Sequence, residues 1–325
     1  MNDPASTAAI GLDVGGTALK CGLVDPHGRV LASSAIPTEC AAGVDHVVRR
    51  MALIIKEMQA AAAAQRLRVL GVGLGLPGTL DRARGTVIAP PNLTGWRNVP
   101  IVERVQSATG LAAVLENDAN NAAMGEYTCG AGRGARSMVL MTLGTGIGGG
   151  MVLDGKLWTG AMGNAGEVGH MIVEVEGRRC GCGQNGCLEA HASATATTAR
   201  LIEALAAGEE SSLRARLDRN EPITVEAIVN AASVGDPLCQ HVWQETCRYL
   251  AVACVNLRHI CDPELIILAG GMSAAGDALL DPVRQDVERL GSKTHGVTGE
   301  IRLARLGNDA GFIGSALSVF RLLAN

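Results

Sequence analysis

Apolar residues fill positions 8–14 and stop at Gly15-Gly16, the mark of a strand that ends in a tight turn. Two more strands are expected at 19–25 and 29–34, with Pro26–Gly28 turning between them. Val47, Val48, Met51, Ile54, Ile55 and Met58 recur at helical spacing and predict a helix over 45–64. Residues 69–76 read as a buried strand, broken by Pro77-Gly78. A loop at 90–95, a helix at 100–109, a strand at 112–115 and a helix at 120–129 follow.

The pattern then restarts. Residues 138–143 are a strand ending in Gly144-Thr145-Gly146; 147–153 are the next strand, with a turn at Asp154-Gly155 and a short strand at 156–158. This order of parts repeats that of residues 10–31 and points to an internal duplication. The second copy carries a large insertion, residues 160–235, in which 208–220 read as a solvated linker. A long helix is expected at 237–260, a strand at 264–269, a helix near 277–290, a strand at 301–303 and a helix at 309–323. Helices alternating with strands, twice over, predict an α/β protein of two similar lobes. Ligands in such folds sit at the carboxyl ends of strands, where the glycine turns fall.

Composition narrows the function. Aromatic residues are only 2% while 42 glycines are present, which suits helices packed closely on sheets. A net charge of −4 offers no electrostatic footprint for nucleic acid. The N-terminal residues lack a basic segment followed by an apolar core, and no apolar run of about 18 residues occurs, so a cytoplasmic, membrane-free chain is expected. Its ten cysteines are then thiols or metal ligands. Cys239, Cys247, Cys254 and Cys261 fall on one face of the long helix and read as core residues, with a second metal site as the alternative.

Four constellations carry chemistry. His170, Cys180, Cys182 and Cys187 offer an N/S₃ set suited to tetrahedral Zn²⁺, with an accidental cluster or half a disulfide framework as the plain alternatives; Glu167 and Glu189 flank the set. The turns Gly15-Gly16-Thr17 and Gly144-Thr145-Gly146 occupy equivalent places in the two copies, and together point to a phosphate chain held from both. Neither is followed by the Gly-Lys-Ser/Thr of a Walker loop. Asp13, at a strand tip, could hold Mg²⁺, and Gly270-Gly271 could lie flat against a nucleoside. Asp118, in Glu116-Asn117-Asp118, is either the N-cap of the helix after it or a general base for an attacking alcohol, with Asn92 and Asn117 beside sugar hydroxyls.

These pieces together resemble the ROK family (repressors, open reading frames and kinases), and most of all its bacterial glucokinases. The matching stretches are LDVGGTALK (12–20), GLPG (75–78), PNLTGWRNVP (91–100), ENDANNAAMGE (116–126), TLGTGIGGG (142–150), GEVGH (166–170), CGCGQNGCLE (180–189), LAGGM (268–272) and DAGFIGSA (309–316). The resemblance implies an actin-like, ribonuclease H-like fold of two related lobes about a cleft, expected here as 1–120 plus 308–325 and 121–307. It implies an ATP:hexose 6-phosphotransferase with Asp118 as base. Gly78, Asn92, Asn117, Asp118, Glu167, His170 and Glu189 would hold the sugar. Asp13, Gly15, Gly16, Thr17, Lys20, Gly144, Thr145, Gly146, Gly270 and Gly271 would hold MgATP, and the His/Cys set structural zinc. Ala18 departs from the Lys or Asn of many members. D-Glucose is the expected substrate; N-acetylmannosamine, fructose or allose, and polyphosphate as donor, are the alternatives. A sugar-responsive repressor is disfavoured by the negative charge and by a first strand starting near residue 8. Relatives suggest a homodimer. Trp96 is expected to pack under its loop, and His191 either supports the sugar pocket from behind or lies on a helix surface.

Overall fold

The computed structural model describes residues 7–90, 93, 95–291 and 299–323. The chain divides into two compact units. The first comprises residues 1–134, 150–165 and 305–325, and the second 135–149 and 166–304.

In the first unit, β1 (Thr7–Val14), β2 (Ala18–Val24), β3 (Val30–Pro37), β4 (Arg68–Leu76) and β7 (Ala113–Asn117) form a sheet in the order β3-β2-β1-β4-β7. β1, β4 and β7 run parallel, while β1–β2 and β2–β3 are antiparallel hairpin pairs. The alternation along β1 decides what covers each face. Ala8, Ile10, Leu12 and Val14 bury against α1 (Val44–Ala64) through Val47, Met51, Ile54, Ile55 and Met58. The alternate positions are small. Ala9 packs with Phe312, Ile313, Ala316 and Leu317 of α10 (Ala310–Leu323). At Gly11 and Gly73 the helix backbone comes so close that a Cβ would lie 1.7 Å from the Phe312 carbonyl oxygen and 1.8 Å from that of Ser315.

Three features of this unit differ from the sequence reading. A short hairpin, β5 (Thr79–Asp81) with β6 (Thr86–Ala89), follows Pro77-Gly78; strands of three and four residues are too short to show a period. α2 spans Ile101–Thr109, and α3 (Asp118–Cys129) starts two residues earlier than expected because Asn117 caps it. α3 also belongs with this unit rather than with residues 121–307: Asn121 Nδ2 donates to Ser315 Oγ of α10 at 2.8 Å, and both groups are buried. Trp96 is 4% exposed within the core, as expected for a residue under its loop.

A second sheet has the order β10-β9-β8-β11-β12, made of β8 (Met138–Leu143), β9 (Ile147–Leu153), β10 (Lys156–Leu157), β11 (Leu265–Ala269) and β12 (Glu300–Leu303). β8, β11 and β12 are parallel and β9–β10 antiparallel, so the strand order reproduces that of the first sheet, as do the directions of these pairs. The duplication read from the sequence is thus a duplication of topology. The boundary between units falls within β9, after Gly149.

The insertion holds α4 (Leu188–Ala192), α5 (Ala194–Ala206), α6 (Arg214–Asp218) and α7 (Val225–Ser233). Part of the expected linker 208–220 is therefore helical. Ser193 caps α5 and Thr224 caps α7, each accepting a hydrogen bond from the third amide on. α8 (Pro237–Cys261) is capped by Asp236 and starts with proline, and α9 spans Asp277–Leu290. Cys239, Cys247 and Cys254 are fully buried on α8 and Cys261 half-buried, in keeping with core thiols.

Backbone contact at Gly11 leaves no room for one methyl group. Gly11→Ala is expected to cost roughly 3 kcal/mol or more by forcing α10 off the sheet, read as a lowered urea midpoint.

Candidate active site and metal centre

In the first unit the chemistry gathers at the carboxyl ends of β1, β4 and β7. Asn117 ends β7, and its Oδ1 accepts from the amides of Ala119 at 2.9 Å and Asn120 at 3.1 Å. Asn117 is therefore the N-cap, and the capping role considered for Asp118 does not hold. That carboxylate lies in the first helical turn, half-buried, with Oδ1 accepting from Ala119 N at 2.8 Å. Glu116 fixes the turn from behind. Its Oε1 accepts from Arg82 Nε at 2.6 Å, Asn117 N at 2.8 Å and Asn120 Nδ2 at 2.9 Å, and Arg82 also donates to the Gly163 carbonyl. Gly78 follows β4 in a left-handed conformation, φ +81°. Asn92 lies outside the described residues.

Asp13 is the next-to-last residue of β1, on the face that α10 covers; a Cβ on Gly311 would approach its carboxylate to 2.8 Å. Burial, reinforced by the charge of Asp118 and opposed by Lys20, pushes its pKa up to about 7. Two carboxylates that repel one another at neutral pH make a place where a divalent cation is favoured, so the residues fit Mg²⁺. Lys20 Nζ also donates to Asn308 Oδ1 at 3.2 Å.

Each glycine turn has its carbonyls tied inward. Thr38 Oγ1 donates to Gly15 O at 2.6 Å, and Thr38 N to Thr17 O at 2.9 Å. In the second unit Ala194 N donates to Gly144 O at 2.9 Å and Thr195 Oγ1 to Thr145 O at 2.8 Å. A turn so anchored can direct amides toward an anion. Beside the second turn is a cavity of about 740 Å³. Gly144, Thr145 and Gly271 line one part of it; Met272, Ala275, Val225 and Val229 give it an apolar wall, and Thr195, Thr198, Glu226 and Asn230 polar ones. The contribution of α5 and α7 to this cavity went unread in the sequence, although the caps Ser193 and Thr224 mark both helices.

His170, Cys180, Cys182 and Cys187 come together, with their ligand atoms all within 4.8 Å of one another. Cys182 Sγ and Cys187 Sγ are 3.7 Å apart, and Cys180 Sγ is 3.8 Å from His170 Nδ1. Tetrahedral bonds of about 2.3 Å to zinc put sulfurs roughly 3.8 Å apart, so the donor set fits this ion. The Gln184 backbone amide brings the Cys182 thiol down to about 7, toward the thiolate that a metal needs. Glu167, exposed, precedes the turn that carries His170. Glu189, on α4, reaches the glycine turn: its Oε2 accepts from Ile147 N at 2.8 Å, and a Cβ on Gly146 would strike that oxygen at 2.3 Å. Gly270, φ +86°, is pressed against Leu143.

The sequence-predicted residues therefore divide. Asp13, Gly15, Gly16, Thr17, Lys20, Gly78, Asn117 and Asp118 belong to the first unit. Gly144, Thr145, Gly146, Glu167, His170, Cys180, Cys182, Cys187, Glu189, Gly270 and Gly271 belong to the second. Arg82 was missed, since a lone arginine on a short hairpin carries no pattern.

A profile of the ROK family matches residues 9–321, and the chain belongs to the ROK family. A glucokinase from Halalkalibacterium halodurans is 37% identical, the alignment covering 94% of this chain and 92% of that one. An N-acetylmannosamine kinase from Escherichia coli is 30% identical over 95% of this chain and 97% of its own. A ROK family glucokinase from Streptomyces griseus, solved with glucose and AMPPNP, is 35% identical with a TM-score of 0.80, covering 95% of this chain and 98% of that one. The actin-like two-lobe fold expected from the motifs is the fold of these ROK kinases.

The raised pKa of Asp13 has a consequence for stability. Between about pH 4 and 7 the folded protein keeps a proton that the unfolded chain has lost, so stability falls as pH rises through this window and levels off above it. Urea midpoints in metal-free buffer at pH 5 and 8 are expected to show this loss in the native protein and to show much less of it in Asp13→Asn.

Proposed function

We infer that the protein is an ATP-dependent hexose kinase of glucokinase type, transferring the γ-phosphoryl group to the 6-hydroxyl of D-glucose. Asp118 carries this reading: a half-buried carboxylate fixed at the head of α3 by the Asn117 cap and the Glu116–Arg82 pair, at a strand end of an actin-like sheet. The identity to glucokinases along nearly the whole chain supports the substrate class.

In the proposed reaction Asp118 accepts the proton of the attacking hydroxyl. Gly78, Asn92, Asn117, Glu167, His170 and Glu189 orient the sugar. Asn117 spends Oδ1 on the helix and so offers its Nδ2 as a donor. His170 presents Nδ1 to the cysteines, which leaves Nε2 for a hydroxyl. The amides of Gly15–Thr17 and Gly144–Gly146 stabilise charge on the transferring phosphates. The cavity beside Gly144 is of a size that suits a nucleoside, with Gly271 and the apolar wall against the base. Mg²⁺, held by the nucleotide and Asp13, would neutralise phosphate charge. Zinc on His170, Cys180, Cys182 and Cys187 would brace the segment that carries the sugar-binding carboxylates.

Initial rates with ATP and each of glucose, N-acetylmannosamine, fructose and allose test the substrate; faster turnover of N-acetylmannosamine than of glucose would overturn the choice. Asp118→Asn should keep fold and sugar binding while losing on the order of 10²–10⁴ in kcat. Cys182→Ser should lose zinc by elemental analysis and weaken sugar binding about tenfold or more, with nucleotide affinity unchanged.

A further inference from the structure

His191 lies two residues after Glu189 on α4, and it is only 3% exposed. A histidine at the end of a five-residue helix need not be buried, and its partners explain why it is. The backbone amide of Arg178 donates to His191 Nε2 at 3.2 Å. An acceptor at Nε2 requires the neutral ring with its proton on Nδ1. That nitrogen faces the Glu174 carboxylate at 3.5 Å. Glu174 Oε2 in turn accepts from Tyr249 Oη of α8 at 2.7 Å, and the Tyr249 ring lies against the imidazole, with centroids 4.4 Å apart. Burial lowers the pKa of the ring, in agreement with a neutral acceptor.

The bonded amide belongs to the segment that delivers the cysteines. Arg178 is two residues before Cys180, and its carbonyl accepts from Gly186 N at 2.8 Å, next to Cys187. Leu188 N, beside Cys187, donates to Met171 O, beside His170. Gly177 passes so near the ring that a Cβ there would lie 2.5 Å from Nε2. One imidazole thus ties a segment bearing metal ligands to the short helix whose other face holds Glu189 against the glycine turn.

We propose that His191 is a positioning residue: as a neutral acceptor for the Arg178 amide, it sets the Cys180–Cys187 loop in register with the helix that carries Glu189. The proposal rests on the reading of this loop as the zinc-braced part of the sugar site. Replacing the ring by an apolar group leaves a part-buried amide unpaired, whereas glutamine can return an acceptor near the place of Nε2.

The test compares His191→Leu and His191→Gln with the native enzyme. In His191→Leu, zinc release to a chelator should speed up about tenfold or more and the KM for sugar should rise by a similar factor, as for other groups that orient ligands from behind. Its kcat and its KM for ATP should stay within about threefold of native values, and His191→Gln should recover most of the loss. In the native protein, ¹⁵N NMR should show the Nδ1-protonated tautomer, and exchange of the Arg178 amide should be slow until leucine replaces the ring. A ring protonated at Nε2, native zinc release in His191→Leu, or equal damage by leucine and glutamine would each overturn the proposal. A protected Arg178 amide that opens only in His191→Leu, in a protein that turns over no hexose, would uphold the tether and overturn the kinase reading alone.

Discussion

A helix can rest directly on a sheet only where the strands present no side chains to hold it off. In the first unit that condition is met at Gly11 and Gly73, and much of the candidate site follows from it. With α10 lying on the backbone of β1 and β4, Gly311 is brought to the Asp13 carboxylate and Ser315 to Asn121. The second contact fixes α3, and the first turn of α3 holds Asp118. The same closeness leaves Asp13 only partly exposed, and burial is the largest cause of its raised pKa. Packing density and proton affinity are here one fact seen at two scales.

The two carboxylates at the strand ends are handled differently. Asp13 is only partly exposed and has the charge of a second acid, Asp118, near it, which raises its pKa. Asp118 is set in a capped helix turn whose acidic neighbour, Glu116, is neutralised by Arg82 and by an amide. In the proposed reaction a base must keep its orientation, and the bond from Ala119 N to Asp118 Oδ1 helps to fix it. In the second unit Glu189 is likewise held, with Oε2 accepting from Ile147 N of the glycine turn and Oε1 lying 3.9 Å from Cys180 Sγ.

The sequence revealed most where a physical constraint leaves a period or a spacing. The strands β1, β4, β8 and β11, buried on both faces, stand out as apolar runs, and α1 and α8 as helical repeats. The repeated order of parts disclosed two sheets of one topology, because hairpin turns and crossover lengths survive in the pattern of glycine and apolar residues. The Cys180-x-Cys182 spacing pointed to the cluster because a knuckle around an ion needs it. What stayed hidden depends on long-range partners. Nothing local distinguishes Asn117 from Asp118 as the cap, since either side chain can accept the amides; the choice is made by which residue leaves the extended conformation. Arg82 finds Glu116 across 34 positions, and His191 finds Arg178 only once the loop has folded back. Two of the insertion's helices, α4 and α6, were obscured because five residues are too few for a helical period to show.

The two copies also differ in how they carry their carboxylates, and under the proposed function this accounts for a His/Cys loop in one copy only. In the first sheet Asp13 and Asp118 ride on a strand end or on a helix turn directly joined to one, and the sheet itself is the brace. In the second, Glu167 and Glu189 are carried on an insertion with little regular structure: a three-residue turn, a loop of isolated bridges and a five-residue helix. Such a segment buries too little apolar surface to hold a carboxylate in place, since each ordered residue costs about 1–2 kcal/mol of backbone entropy. Cross-links must replace the missing core. In the zinc-bound form proposed above the His/Cys cluster would be one; the Glu189–Ile147 bond is another, and the contact of His191 with Arg178 a third. These three ties reach the two ends and the middle of the stretch 167–191, and together they do for an irregular loop what a strand does by itself.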